Sequence, residues 1–191
     1  QAEKIGGWYK RGSRVLNEQQ LEKLGTIRDW LQGHLPERRL GTLVHNDFKL
    51  DNMLIYEESL TVNGVVDWDM CTVGDPFYEL AILLAYWGEQ SDKPAYEFQC
   101  RMPKEAEGWW PRAKVIEEYF NLTGFEKADL DFYWWLTQYR NIVVYAQLNA
   151  LFSRTGEFPA ALTQEEWELM PERVDQLLVT VVNMVGTAMF A

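Results

Sequence analysis

The sequence predicts an α+β domain that is mostly helical, with a small β-hairpin set into a helical body. Three observations carry this expectation. Apolar residues recur at three- and four-residue intervals over several separate segments. Short strand-like runs are confined to residues 42–66. Finally, 47% hydrophobic and 14% aromatic residues in a chain of 191 suffice to bury one core.

Each element has a local reason. Asn17 is a good N-cap residue, and Leu21, Leu24, Ile27 and Leu31 follow at helical spacing up to Gly33, with Pro36 beyond. Thr42-Leu43-Val44, Met53 to Tyr56 and Val62 to Val66 read as strands, the last with Gly64 inside it, and Tyr56 to Thr61 reverses the chain between the second and third. After Pro76 the period is helical: Phe77 to Trp87, Arg112 to Leu122, an aromatic-rich Asp131 to Phe152, and Pro171 to Phe190 with one broad apolar face. A polar loop (Glu89 to Lys93), a Pro/Gly-punctuated stretch (Met102 to Pro111) and a turn (Thr155 to Pro159) separate them.

Composition narrows the chemistry. With 29 Asp and Glu against 18 Lys and Arg, the net charge of -11 argues against a nucleic-acid partner, which is bound largely through basic side chains. Cys71 and Cys100 are expected as reduced thiols of a cytoplasmic protein, and with His34 and His45 they are too few to assemble a structural zinc site. The apolar stretch Leu177 to Ala191 is interrupted by Thr180, Asn183, Gly186 and Thr187 and falls short of the ~20 residues that span a bilayer, so no membrane role is expected, and no targeting segment is visible. Gln1 is not an initiator Met, and the chain reads as a piece of a longer protein.

The polar residues that demand explanation are His45, Asp47, Lys49, Asn52, Asp67, Asp69, Asp75 and Glu79. If Met53 to Tyr56 and Val62 to Val66 pair antiparallel, Asn52 enters the first strand beside Asp67 leaving the second. An amide oxygen and a carboxylate at the open end of a hairpin are oxygen ligands of the kind Mg²⁺ takes while keeping waters and substrate phosphates in its other positions. Asp47 lies on the loop leading into the same hairpin. The competing reading is that Asp47, Asn52 and Asp67 are turn residues.

His45-Asn46-Asp47-Phe48-Lys49-Leu50-Asp51-Asn52 resembles the H-x-D-x-x-x-x-N catalytic loop of the protein-kinase-like enzymes, with Val65-Val66-Asp67-Trp68-Asp69 where they place a second metal-binding Asp. Gly74-Asp75-Pro76-Phe77-Tyr78-Glu79-Leu80-Ala81 is similar to the G-D-P-x-x-D-L-A segment of the aminoglycoside phosphotransferase/choline kinase family. The run from Asp67 to Pro76 is most similar to the branch associated with acyl-CoA dehydrogenases, and weaker similarity reaches Tyr139-Arg140. The resemblance implies a kinase-like C-terminal lobe over residues 1–191, with a catalytic core at 41–90 and a helical subdomain at 91–191.

It implies an ATP-dependent transfer of the γ-phosphate to a hydroxyl of a small-molecule alcohol. Asp47 would be the catalytic base and Lys49 would neutralise charge on the transferred phosphate, while Asn52 and Asp67 would hold Mg²⁺ on ATP. His45 would support the loop, Asp69 would stand behind the metal or in solvent, Asp75 would cap the following helix, and Glu79, one methylene longer than the family's Asp, would bond the catalytic-loop backbone. Trp87, Trp134, Trp135 and Tyr139 read as core or as an acceptor wall, and Trp109-Trp110 as a pair that cannot both be buried.

The family's N-terminal ATP lobe, with its glycine-rich loop and strand Lys, cannot be placed before His45, so it is expected upstream, and the fragment alone is expected to be inactive. The alternatives are a non-catalytic kinase-like scaffold or ligand-binding module, and metal-dependent hydrolysis without ATP, which usually wants more ligands than this chain offers.

Overall fold

The computed structural model describes residues 1–37, 41–100, 104, 106–157 and 163–190. The chain divides into two compact units, one of Gln1–Pro36 with Trp135–Met189 and one of Glu37–Trp134 with Phe190.

The first unit is helical. It holds α1 (Ala2–Gly12), α2 (Glu18–Gly33), all but the first turn of α6 (Asp131–Thr155), α7 (Gln164–Glu168) and α8 (Met170–Met184). Asn17 starts α2 through a reciprocal cap, its side chain accepting from Gln20 N while the Gln20 side chain accepts from Asn17 N. α2 packs against α1 and α8. Leu24, Ile27, Leu31, Tyr139, Leu177 and Val181 are fully buried there, each full aliphatic burial contributing roughly 1.5–3 kcal/mol. Gly12 permits the close approach of α1, since a Cβ there would lie 2.7 Å from Leu24 Cδ2.

The second unit contains β1 (Thr42–Val44), β2 (Met53–Tyr56), β3 (Thr61–Val65), β4 (Thr72–Gly74), α3 (Pro76–Tyr86), α4 (Pro94–Glu97), α5 (Arg112–Thr123) and the first turn of α6. β2 and β3 form an antiparallel hairpin running from Met53↔Val65 to Tyr56↔Thr61, with a bulge between Leu54 and Ile55. β1 pairs antiparallel with β4, Thr42 opposite Gly74. Pro76 at the start of α3 and Asp75 before it begin a helix whose Phe77, Leu80, Ala81, Ile82 and Leu84 are buried. Buried Arg112 locks the loop after α3: its guanidinium meets both carboxylate oxygens of Asp92 at 2.6 and 2.9 Å, and its Nε donates to Leu84 O at 2.9 Å.

Several expectations shift. The third strand is Thr61–Val65 rather than Val62 to Val66, because Tyr56 pairs with Thr61 across the turn. The final helix stops at Met184 rather than Phe190, since Val185 leaves the helical region at φ -54, ψ 128 and Gly186 takes φ 90. The expected turn at Thr155 to Pro159 and the stretch Met102 to Pro111 lie partly outside the described residues, although α6 extends through Thr155. Among the described residues no helix is long and apolar enough to cross a membrane. Both cysteines are free, Cys71 exposed and Cys100 buried. Trp134, Trp135 and Tyr139 are core, whereas Trp109 stacks on Trp87 at 4.3 Å and its neighbour Trp110 is exposed.

Candidate active site

The site grows from the loop between β1 and β2. His45 is buried, and each of its ring nitrogens meets a backbone group. Nδ1 accepts from Asp47 N at 3.3 Å, so the nitrogen 2.8 Å from Val66 O is the N–H of the ring. His45 therefore ties the loop to Val66, the residue after β3. Trp68 packs on the same ring at 4.7 Å and donates its indole N–H to Val65 O at 2.8 Å.

Asn46 stands in the left-handed region at φ 64, a conformation that Asn adopts more readily than most residues. Its backbone N–H reaches Glu79 Oε2 at 3.2 Å and its side chain reaches Met70 O at 2.9 Å. Glu79 on α3 thus meets the loop backbone directly.

Asp47, Lys49 and Asn52 form one network. Lys49 Nζ lies 2.9 Å from Asp47 Oδ2, and Asn52 Nδ2 donates to Asp47 O at 2.8 Å and more weakly to Asp47 Oδ2 at 3.4 Å. Burial pulls the Lys49 ammonium down, but the hydrogen bond to Asp47, with Tyr86, Asp47 and Asp51 nearby, outweighs it and holds the group above its ordinary value of 10.5. The Tyr86 ring lies 5.1 Å from Nζ.

The hairpin brings the second strand to the same end. Val66 N donates to Asn52 O at 2.9 Å, so Asp67 is the residue after the one paired with Asn52. Asp67 is left-handed at φ 64, ψ 55 and exposed, and among the described residues its carboxylate caps nothing. With Nδ2 committed to Asp47, the Asn52 amide keeps its oxygen, Oδ1, as a candidate metal ligand. An amide oxygen and an unengaged carboxylate at one hairpin end fit the oxygen chemistry of Mg²⁺. No group of three or more His, Cys, Asp or Glu among the described residues forms a metal cluster, so any ion here would need ligands from substrate or water.

The other acids separate from this network. Asp75 caps α3, its Oδ1 accepting from Phe77 N at 3.0 Å, and its Oδ2 accepts from Tyr133 OH at 2.7 Å. Asp69 lies exposed in the 3₁₀ turn Trp68–Met70. Sequence reasoning passed over Asn46, Trp68, Tyr86 and Tyr133. A signal existed for Asn46 in its tolerance of positive φ, while the other three act through contacts distant in sequence.

An acyl-CoA dehydrogenase family member 10 of Mus musculus is 38% identical over 81 residues, 42% of this chain and 8% of its own length. The Arabidopsis thaliana protein described as acyl-CoA dehydrogenase IBR3 is 26% identical over 152 residues, 74% of this chain and 18% of its own length. The chain thus spans less than a fifth of these relatives. The crystal structure of a Ralstonia eutropha JMP134 protein described as an aminoglycoside phosphotransferase superposes with a TM-score of 0.72 at 19% identity, over 95% of this chain and 55% of the other, which shows a shared fold. The sequence profile of the phosphotransferase enzyme family matches residues 1–116, more than half of the chain. The chain belongs to the phosphotransferase enzyme family.

Proposed function

We propose that the protein transfers the γ-phosphate of ATP to the hydroxyl of a small-molecule alcohol, with Asp47 as the base. The observation that carries this reading is the Asp47–Lys49–Asn52 network, one carboxylate held by a cation at 2.9 Å and by an amide, with Asp67 following the Val66–Asn52 backbone pair at the same end of the hairpin.

The chemistry follows from these side chains. As the acceptor oxygen forms its bond to phosphorus and the bond to the ADP oxygen breaks, the acceptor proton passes to Asp47. Because the transition state of such transfers is loose, alignment and charge neutralisation count for more than base strength. Lys49 supplies positive charge beside the base. Asn52 and Asp67 offer oxygens to Mg²⁺, which when bound would neutralise phosphate charge. His45 and Glu79 fix the loop from two sides, so Asp47 is presented without reorganisation.

A further lobe carrying the glycine-rich loop and a strand Lys would complete the ATP site. The far greater length of the relatives supports this, and their names favour a hydroxylated acyl compound or related metabolic alcohol as acceptor over a cationic aminoglycoside or amino alcohol. The test is Asp47→Asn in the protein that carries both lobes, assayed for Mg-ATP-dependent phosphorylation across a panel of alcohols. Loss of at least about 100-fold in turnover with an unchanged melting temperature is the expected result, and undiminished turnover overturns the assignment of the base.

A further inference from the structure

Behind the catalytic loop lies an open cavity of about 340 Å³ whose walls include Val44, Phe48, Leu80, Leu83, Tyr119 and Phe125. Glu79 also reaches the wall. The lining is mostly apolar, its polar side chains being Thr42, Glu79 and Tyr119, and Tyr119 stands near the carboxylates of Glu79 and Asp75. Burial first, then the charges of Glu79 and Asp75, push the Tyr119 phenol up to about 12, so it stands as an O–H donor at neutral pH. Among the described residues that hydroxyl makes no hydrogen bond. Phe48, the residue after Asp47, lines the wall, and Asp47 does not.

We propose that this cavity binds a neutral amphiphile, an aliphatic or aryl body carrying one hydroxyl, with its oxygen at Tyr119 and its body against Phe48, Leu80, Leu83 and Phe125. Size supports the choice: a dry apolar cavity of about 150 Å³ accepts a benzene ring, so a space of this volume accommodates roughly eight to twelve carbons. Charge decides the head group. A carboxylate would face Glu79 and Asp75, whereas a hydroxyl accepts the Tyr119 proton without repulsion. Occupancy reaches the loop along two routes, through Phe48, the residue after Asp47, and through Glu79, whose Oε2 lies 3.2 Å from Asn46 N. No step of the phosphotransfer reading is needed for this inference.

The experiment is a titration of the isotopically labelled 191-residue chain with 1-octanol and, separately, octanoate, followed by nuclear magnetic resonance of the Asn46 amide and the Phe48 ring. Saturable shifts of both groups with 1-octanol are expected, with octanoate at least about tenfold weaker. Leu83→Trp fills the cavity and removes the response. Tyr119→Phe keeps the shape and weakens 1-octanol about fivefold, the worth of one hydrogen bond, and it decides the question if Leu83→Trp does not fold. Absent shifts, an unaltered response in a folded Leu83→Trp, an unweakened Tyr119→Phe, or octanoate binding as tightly as the alcohol each overturns the proposal.

Discussion

Lys49 and His45 do different work in the same loop. His45 spends both ring nitrogens on backbone groups, so its contribution is geometric. Lys49 spends its charge on Asp47, and its folded-state pKa is raised above 10.5. A raised value means that the ion pair stabilises the fold fully below the unfolded value and loses that contribution as pH rises through the folded one. The stability gap between the native chain and Lys49→Gln should therefore be constant from about pH 7 to about pH 10 and close above the ordinary value of 10.5. Urea denaturation at stepped pH measures it, and a gap that widens with alkalinity contradicts the pairing. The polar residues of this loop were legible from their spacing. Which way each one turns was not, because the His45 bond spans 21 positions and the Asn46–Glu79 bond spans 33.

Helix α3 is held at both ends by polar side chains that sit in other elements. At its start, Asp75 bonds both the helix backbone and the Tyr133 hydroxyl. Tyr133→Phe should cost about 1.5–3 kcal/mol, the range for a hydrogen bond to a charged group, read from the urea midpoint with an unchanged slope. At its end, buried Arg112 pairs with Asp92 and with the half-buried Glu89. Arg112→Leu leaves two carboxylates without their cation and should destabilise by about 3–5 kcal/mol, and a thermal scan showing less than ~1 kcal/mol would remove Arg112 as the lock. The capped helices α2 and α3 announced themselves through Asn17 and Asp75. β4 did not, since three residues carry little periodicity and their partner, Thr42, lies 32 positions earlier than Gly74. α1 was equally silent: Gly6-Gly7 at its centre weakens helix propensity, and only burial of Ile5 and Trp8 against other helices compensates.

At the scale of the whole molecule, large exposed apolar side chains concentrate in one part of the sequence. Between Leu43 and Val73 ten of them are exposed, among them Leu60 at 80% and Val73 at 74%. Exposed apolar surfaces of this size mark contact faces. Leu54→Lys with Val62→Lys should lower binding of a hydrophobic fluorescent dye several-fold while moving stability by no more than about 0.5 kcal/mol per site; undiminished dye binding would assign the apolar surface elsewhere. The mostly helical α+β class and the strand–loop–strand site were readable from composition and pattern. The division into units was not, because it depends on which distant segments pack together.

That division bears on how the protein is made. The helical unit joins Gln1–Pro36 to Trp135–Met189, so α2 emerges from the ribosome long before α8, against which it packs. Between Gly33 at the end of α2 and Met170 at the start of α8 lie 136 residues, and synthesis at about 5–20 residues per second takes about 7–27 s to make them. Throughout that interval the apolar stripe of Leu24, Ile27 and Leu31 lacks the part of its native cover that α8 supplies, and nascent-chain chaperones would find their opening there.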